Sequence, residues 1–140
     1  MQLSNFAIGD NYAICIGPTW FDLHNDYDFE KYEYDPYANC AVFSWARTTF
    51  RASDPEIVRR LTLRFDNLTI LKTEFVAESQ NNTDVKTLTF VDFLHSDDLN
   101  VMDGCLTQNK SYSTYHIIFR FQNGLAIKCF SRTVTCELES

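Results

Sequence analysis

This sequence predicts a mostly β domain, and three observations carry the expectation. Twelve Phe, seven Tyr and two Trp, in a chain with a hydrophobic share of 45%, supply large side chains that suit a pleated sheet better than a helix flank. Residues 115–136 form two apolar runs on either side of Asn123-Gly124, a preferred hairpin turn pair. Helix signals are confined to two short stretches. The predicted class is therefore all-β or β-rich α+β, an antiparallel sandwich or strongly curved sheet with one or two short helices.

The elements follow in chain order. Tyr27 to Tyr34 and Cys40 to Thr48 read as a hairpin, because Asp35, Pro36 and Asn39 are turn formers between β-favouring flanks. In the first arm Tyr27 and Phe29 occupy one parity and Tyr32 and Tyr34 the other. Either a bulge shifts the phase or the strand buries part of both faces. The second arm, with Val42 on one side and Phe43 and Trp45 on the other, has the pattern of a central strand. Leu61 to Phe65 alternates, and Leu68 to Lys72 continues it past Asp66-Asn67 or bends away as a bulge. Lys86 to Leu94, rich in Thr, Val and Phe, is a further strand. In the C-terminal hairpin Tyr115, Ile117, Phe119 and Phe121 share a face opposite Arg120 and Gln122, and Asn123-Gly124 predicts a type I′ turn. The helical stretches are Ser53 to Glu56, with a cap candidate and a first-turn proline, and Asp97 to Asp103 before Gly104. The sum is about six antiparallel strands.

A chain of 140 residues suits one domain, residues 1–140, and has no internal repeat. No run reaches the roughly eighteen apolar residues of a membrane helix, and no signal-peptide pattern opens the chain, so a cytoplasmic location is the expectation. The five cysteines, an odd number without a CxxC pair, imply neither a disulfide framework nor a zinc ribbon. Reduced thiols are expected, with Cys40 and Cys129 as small buried hydrophobes. A net charge of -7 argues against nucleic acid or an anionic membrane as primary partner. That charge is unevenly spread: Asp22, Asp26, Asp28, Glu30, Glu33 and Asp35 face only Lys31, whereas Arg47, Arg51, Arg59, Arg60 and Arg64 follow.

No GxGxxG, Walker, HExxH or GxSxG motif occurs, so no catalytic residue and no cofactor is assigned, and a non-enzymatic chain is expected. Two His-Asp clusters are the candidate metal or acid-base groups: His24 with Asp22, Asp26 and Asp28, and His95 with Asp92, Asp97 and Asp98. In an extended segment Asp22, His24, Asp26 and Asp28 share one face, which serves equally as a solvated edge that discourages sheet-to-sheet pairing. The second cluster also reads as a loop and helix start. His116, at the head of an apolar strand, reads as a packed or edge histidine. The candidate partner-binding residues are Asp26, Asp28, Glu30, Glu33 and Asp35 with Tyr32, Tyr34 and Tyr37. Rings among carboxylates provide contact area and steering toward a basic surface. Half-buried sheet packing is the plainer alternative for the tyrosines.

Leu23-His24-Asn25-Asp26, followed by an aromatic strand and then Leu61 to Leu71, resembles a pattern in small bacterial β-rich immunity proteins of polymorphic toxin systems. The resemblance covers about the first half of the chain, and Asn25 stands where that pattern has aspartate. It implies a cytoplasmic inhibitor that binds a cognate toxin and either plugs its active site or holds it inactive; the acidity of the chain agrees with a basic toxin domain, occluded with the acids pairing Lys or Arg and the tyrosines anchoring. Two other classes stay open. One is a small-molecule or metal-binding β domain with a hydrolase-like pocket built on His24 and His95; the other is a structural homo-oligomer subunit.

Overall fold

The structure, a computed structural model, describes residues 1–48, 57–75, 84, 86–94, 102 and 113–140. Its described part is all-β, with a curled antiparallel sheet in the form of a half-barrel and a small three-stranded sheet beside it. The large sheet holds β5 (Tyr27–Asp35), β6 (Cys40–Arg47), β7 (Arg60–Phe75), β10 (Leu125–Glu139), β9 (His116–Phe121) and β8 (Leu88–Leu94), in that spatial order. A two-residue strand, β1 (Gln2–Leu3), pairs in parallel with the second half of β10. The small sheet is a meander of β2 (Ala7–Gly9), β3 (Ala13–Ile16) and β4 (Thr19–Asp22). Both stretches with helix signals fall outside the described residues, Met102 excepted, and no helix occurs among those described.

The hairpins form as their patterns predict, with one difference in a turn. Gly124 N–H bonds to Phe121 O at 3.0 Å and Gly124 takes φ 89°, whereas Asn123 is not among the residues at positive φ. The connection is thus a three-residue loop with a left-handed glycine, not a two-residue type I′ turn, which needs positive φ at both central residues. Asn123 acts through its side chain instead, with Oδ1 accepting the Leu125 N–H at 3.0 Å.

Three bulges or irregularities supply the curl. The pairing of β5 with β6 shifts between Phe29 and Lys31, that of β7 with β10 between Phe130 and Ser131, and that of β8 with β9 between Leu88 and Phe90. Extra residues bend a strand and sharpen its twist. Asn67, at φ 54°, lies beside the β7 irregularity, so 60–75 is one continuous bent strand. The phase change in β5 places Tyr27, Phe29, Tyr32 and Tyr34 on a single concave face, opposite Arg47, Trp45, Phe43 and Ala41 of β6.

That concave face is the core. Phe43 and Trp45 of β6, Leu61, Leu63 and Phe65 of β7, and Ile117 and Phe119 of β9 are fully buried in it. Its centre is aromatic: Phe43 lies 5.1 Å from Phe65 and 5.0 Å from Phe119, and Phe29 lies 4.6 Å from Phe121. Cys40 and Cys129 are buried as expected, and burial raises the Cys129 thiol far out of its reactive range. The four described cysteines that are free of disulfides are Cys15, Cys40, Cys129 and Cys136.

Phe43 touches five other rings, so removing it opens a cavity that its rigid neighbours cannot fill. Phe43→Ala is expected to lower stability by about 3–5 kcal/mol. Urea unfolding followed by Trp45 fluorescence measures it, and a loss below about 1 kcal/mol would contradict the central place given to this ring.

Candidate functional site

Strand β5 changes character at Glu30. Before it, Tyr27 and Phe29 are buried and the Phe29 N–H bonds to Lys86 O at 2.9 Å, so the curled sheet is closed there by its own chain. After it, residues 31–35 are exposed on both faces. Tyr32 stacks on Phe43 with ring centroids 5.4 Å apart yet stays 36% exposed, while Tyr34 and Tyr37 are 49% and 100% exposed. The expectation of half-buried packing holds for the inner part of Tyr32 and fails for Tyr37.

The acidic candidates do not act as one group. Asp35 is committed to the turn, its Oδ1 accepting the N–H groups of Tyr37 at 2.8 Å and Ala38 at 3.1 Å. Asp26 lies in the turn before β5 and holds Thr48 through its backbone carbonyl. Glu30 pairs with Arg60 at 3.1 Å, and Arg60 also reaches Glu139 at 3.2 Å. Glu33 pairs with Lys31 at 3.0 Å. Exposed pairs of this kind are weak and exchange readily for other cations. Glu30, Lys31 and Glu33, with Ser44 and Arg60, line a cavity of about 440 Å³ on the convex side of the sheet. Sequence parity thus places Tyr32 and Tyr34 on one side of a strand edge, and Lys31, Glu33 and Asp35 on the other.

The His24 cluster is arranged otherwise than an extended segment requires. Asp22 Oδ1 accepts the N–H groups of His24 at 2.9 Å and Asn25 at 2.8 Å, and its Oδ2 accepts the Asn25 side-chain amide at 2.8 Å. This carboxylate builds a turn, because a short acceptor side chain satisfies the next backbone donors. His24 Nδ1 bonds to the carbonyl of Leu88. The imidazole therefore staples the turn to the outer edge of β8, where Val91 N–H also bonds to Asn11 O at 2.6 Å. His95 and Asp97 lie outside the described residues. Among the described residues no group of three or more His, Cys, Asp or Glu is placed to hold a metal ion.

One feature escaped the sequence reading. Asp92, His116, Arg120 and Lys128 are all buried, on the convex side of β8, β9 and β10. The register sets Asp92 and Lys128 on opposite flanks of Ile118 in one cross-strand row. Asp92 Oδ1 accepts the Phe93 N–H at 2.7 Å, and the His116 ring packs 4.9 Å from Phe130. The signal was present: Asp92, Arg120 and Lys128 are charges inside otherwise apolar strand runs. Removing a single member of such a buried group leaves its neighbours uncompensated, which is strongly destabilising. None of the four lines the cavity beside β5 or a second one, of about 400 Å³, between Met1, Leu3, Phe6, Ile8 and Phe93. That second cavity has no ionisable side chain in its lining.

No family model, curated protein or solved structure matches the chain. Among the described residues no helix is long and apolar enough to cross a membrane.

Two predictions follow from the histidines. His24→Ala leaves a carbonyl of β8 without its donor and is expected to cost about 1–3 kcal/mol of stability, read by urea unfolding. Unchanged stability would mean that solvent serves Leu88 equally well. Burial, then the Lys128 ammonium, holds His116 below its ordinary value of 6.5. The unfolded chain therefore takes up this proton more readily than the folded one. Stability is complete above about pH 6.5 and declines as pH falls from there toward the folded-state value. The urea midpoint should drop between about pH 7.5 and 5.5, and drop less in His116→Gln; equal drops would assign the effect to other groups.

Proposed function

We propose that this chain is a non-enzymatic protein-binding domain that inhibits a basic partner in the manner of an immunity protein, using the exposed half of β5 and the following turn. The observation that carries the reading is the exposure of Tyr32, Tyr34 and Tyr37 beside Asp28, Glu30 and Glu33 on one strand and its turn. Two large rings and the outer part of a third held in water cost the isolated domain hydrophobic burial, and tyrosine is among the side chains that most often anchor a protein interface. The flanking carboxylates supply steering toward Lys and Arg and speed encounter.

Inhibition by occlusion needs no catalytic group in this chain. The rings of Tyr34 and Tyr37 press against the partner, and Glu30 and Glu33 exchange their internal cations for those of the partner. Asp26 and Asp35 serve indirectly, by building the turns at either end of β5. The acidic share of the interface is thus smaller than the sequence count of acids.

The test is co-expression with the product of the adjacent reading frame, followed by affinity measurement at two salt concentrations. A basic toxin domain should be neutralised, and its affinity should fall as ionic strength rises. Tyr34→Ala combined with Tyr37→Ala should weaken binding at least about 100-fold, and Glu30→Gln with Glu33→Gln about 10-fold, mostly through association rate. Unchanged affinity in both variants, with the fold intact, would remove this face from the mechanism.

A further inference from the structure

The large sheet has two edges, and the chain treats them differently. The edge at β8 is covered over its first half, by Phe29 N–H at Lys86 just before the strand, by His24 at Leu88 and by Asn11 at Val91. The edge at β5 is covered only as far as Phe29. Beyond the bulge, among the described residues nothing hydrogen-bonds to the outer edge of 31–35, which pairs with β6 on its inner side alone. An uncovered strand edge presents a row of backbone donors and acceptors at the pitch that another strand requires.

The charge on this edge narrows what can dock there. The uncovered stretch 31–35 carries Glu33 and Asp35 against Lys31, and Asp28 and Glu30 precede it on the same strand, so β5 as a whole is acidic. Two copies of the chain pairing antiparallel about Glu33 would set Glu33 against Glu33, a like-charge pair, while Asp35, which would face Lys31, is held by the turn. A strand bearing Lys or Arg meets the opposite condition. Lys31, the one cation on the edge, pairs with Glu33 at 3.0 Å in an exposed contact that an incoming cation can displace.

We infer that the partner of this domain contributes an extended segment that adds to the sheet as a strand beside 31–35, with alternate side chains Lys or Arg. This deepens, and rests on, the proposed use of the β5 face. Backbone pairing supplies the affinity common to any extended chain, and the two sides of the edge supply the selectivity. On the convex side the incoming basic residues meet Glu33 and the cavity that Glu30 borders. On the concave side the intervening residues meet Tyr32 and Tyr34, so that side of the segment is aliphatic.

The probe is a synthetic octapeptide alternating Lys with Val and Thr, titrated into the isotopically labelled full chain and followed by amide NMR shifts and hydrogen exchange. Expected are shifts confined to β5 and the β5–β6 turn, slowed exchange within 31–35, and at least tenfold weaker binding when alternate peptide nitrogens are methylated. N-methylation keeps every charge but removes the donors that a strand pair needs. Equal binding of the methylated peptide, no binding at millimolar concentration, or shifts centred elsewhere would each overturn strand addition. Concentration-dependent dimerisation of the free chain through β5 would overturn it as well. If Tyr34→Ala with Tyr37→Ala still weakens the cognate complex while the methylated peptide binds unchanged, the β5 face stands and only the strand-addition mode fails.

Discussion

In a flat sheet, β5 and β9 stand four strand spacings apart, a separation of about 19 Å. Yet Phe29 on β5 and Phe121 on β9 hold their rings 4.6 Å apart. That approach is possible only because the sheet curls until its two ends nearly meet, and the rest of the structure depends on it. The bulges are where the backbone accommodates the bend, and the rings of Phe43, Trp45, Phe65 and Phe119 fill the trough that results. A core of smaller side chains would leave such a trough empty or let the sheet relax.

The same curl decides which backbone is available to other molecules. Bringing β5 round to β8 lets Phe29 donate to Lys86, but the Glu30 bulge turns the remainder of β5 away from that closure. One strand therefore serves two purposes in succession, sealing the core with its first residues and facing solvent with its last. The small sheet and the His24 turn extend the cover over the first half of β8. Most of the polar residues that invite a chemical reading near the N-terminus are thus spent on architecture.

Much of this was legible in the sequence. Turn formers and apolar alternation located both hairpins, and the parity clash between Phe29 and Tyr32 left a bulge or two half-buried faces as its accounts, of which the structure has the bulge, at Glu30. The first four strands were not foreseen, since two to four residues are too few for a period to register, although Gly17-Pro18 marks the tight turn between β3 and β4. The His24 contact with Leu88 spans 64 positions, and no local pattern encodes a partner so distant. The buried row through Asp92, Ile118 and Lys128 was hidden for a related reason. Periodicity tells which side of its own strand a residue takes, but not what lies across from it two strands away.

The pairing of β1 with β10 sets a temporal order on folding. Gln2 lies opposite Thr133, and Asn5 exchanges two hydrogen bonds with Cys136, its side-chain amide donating at 2.7 Å and its carbonyl oxygen accepting at 2.8 Å. Residues 2–5 find their place only once 133–136 have joined the sheet. Contacts of such long separation are slow to form and are made late. The small sheet can dock on β8 through Asn11 and His24 before that, so the pairing of β1 with β10 is the step that closes the fold last.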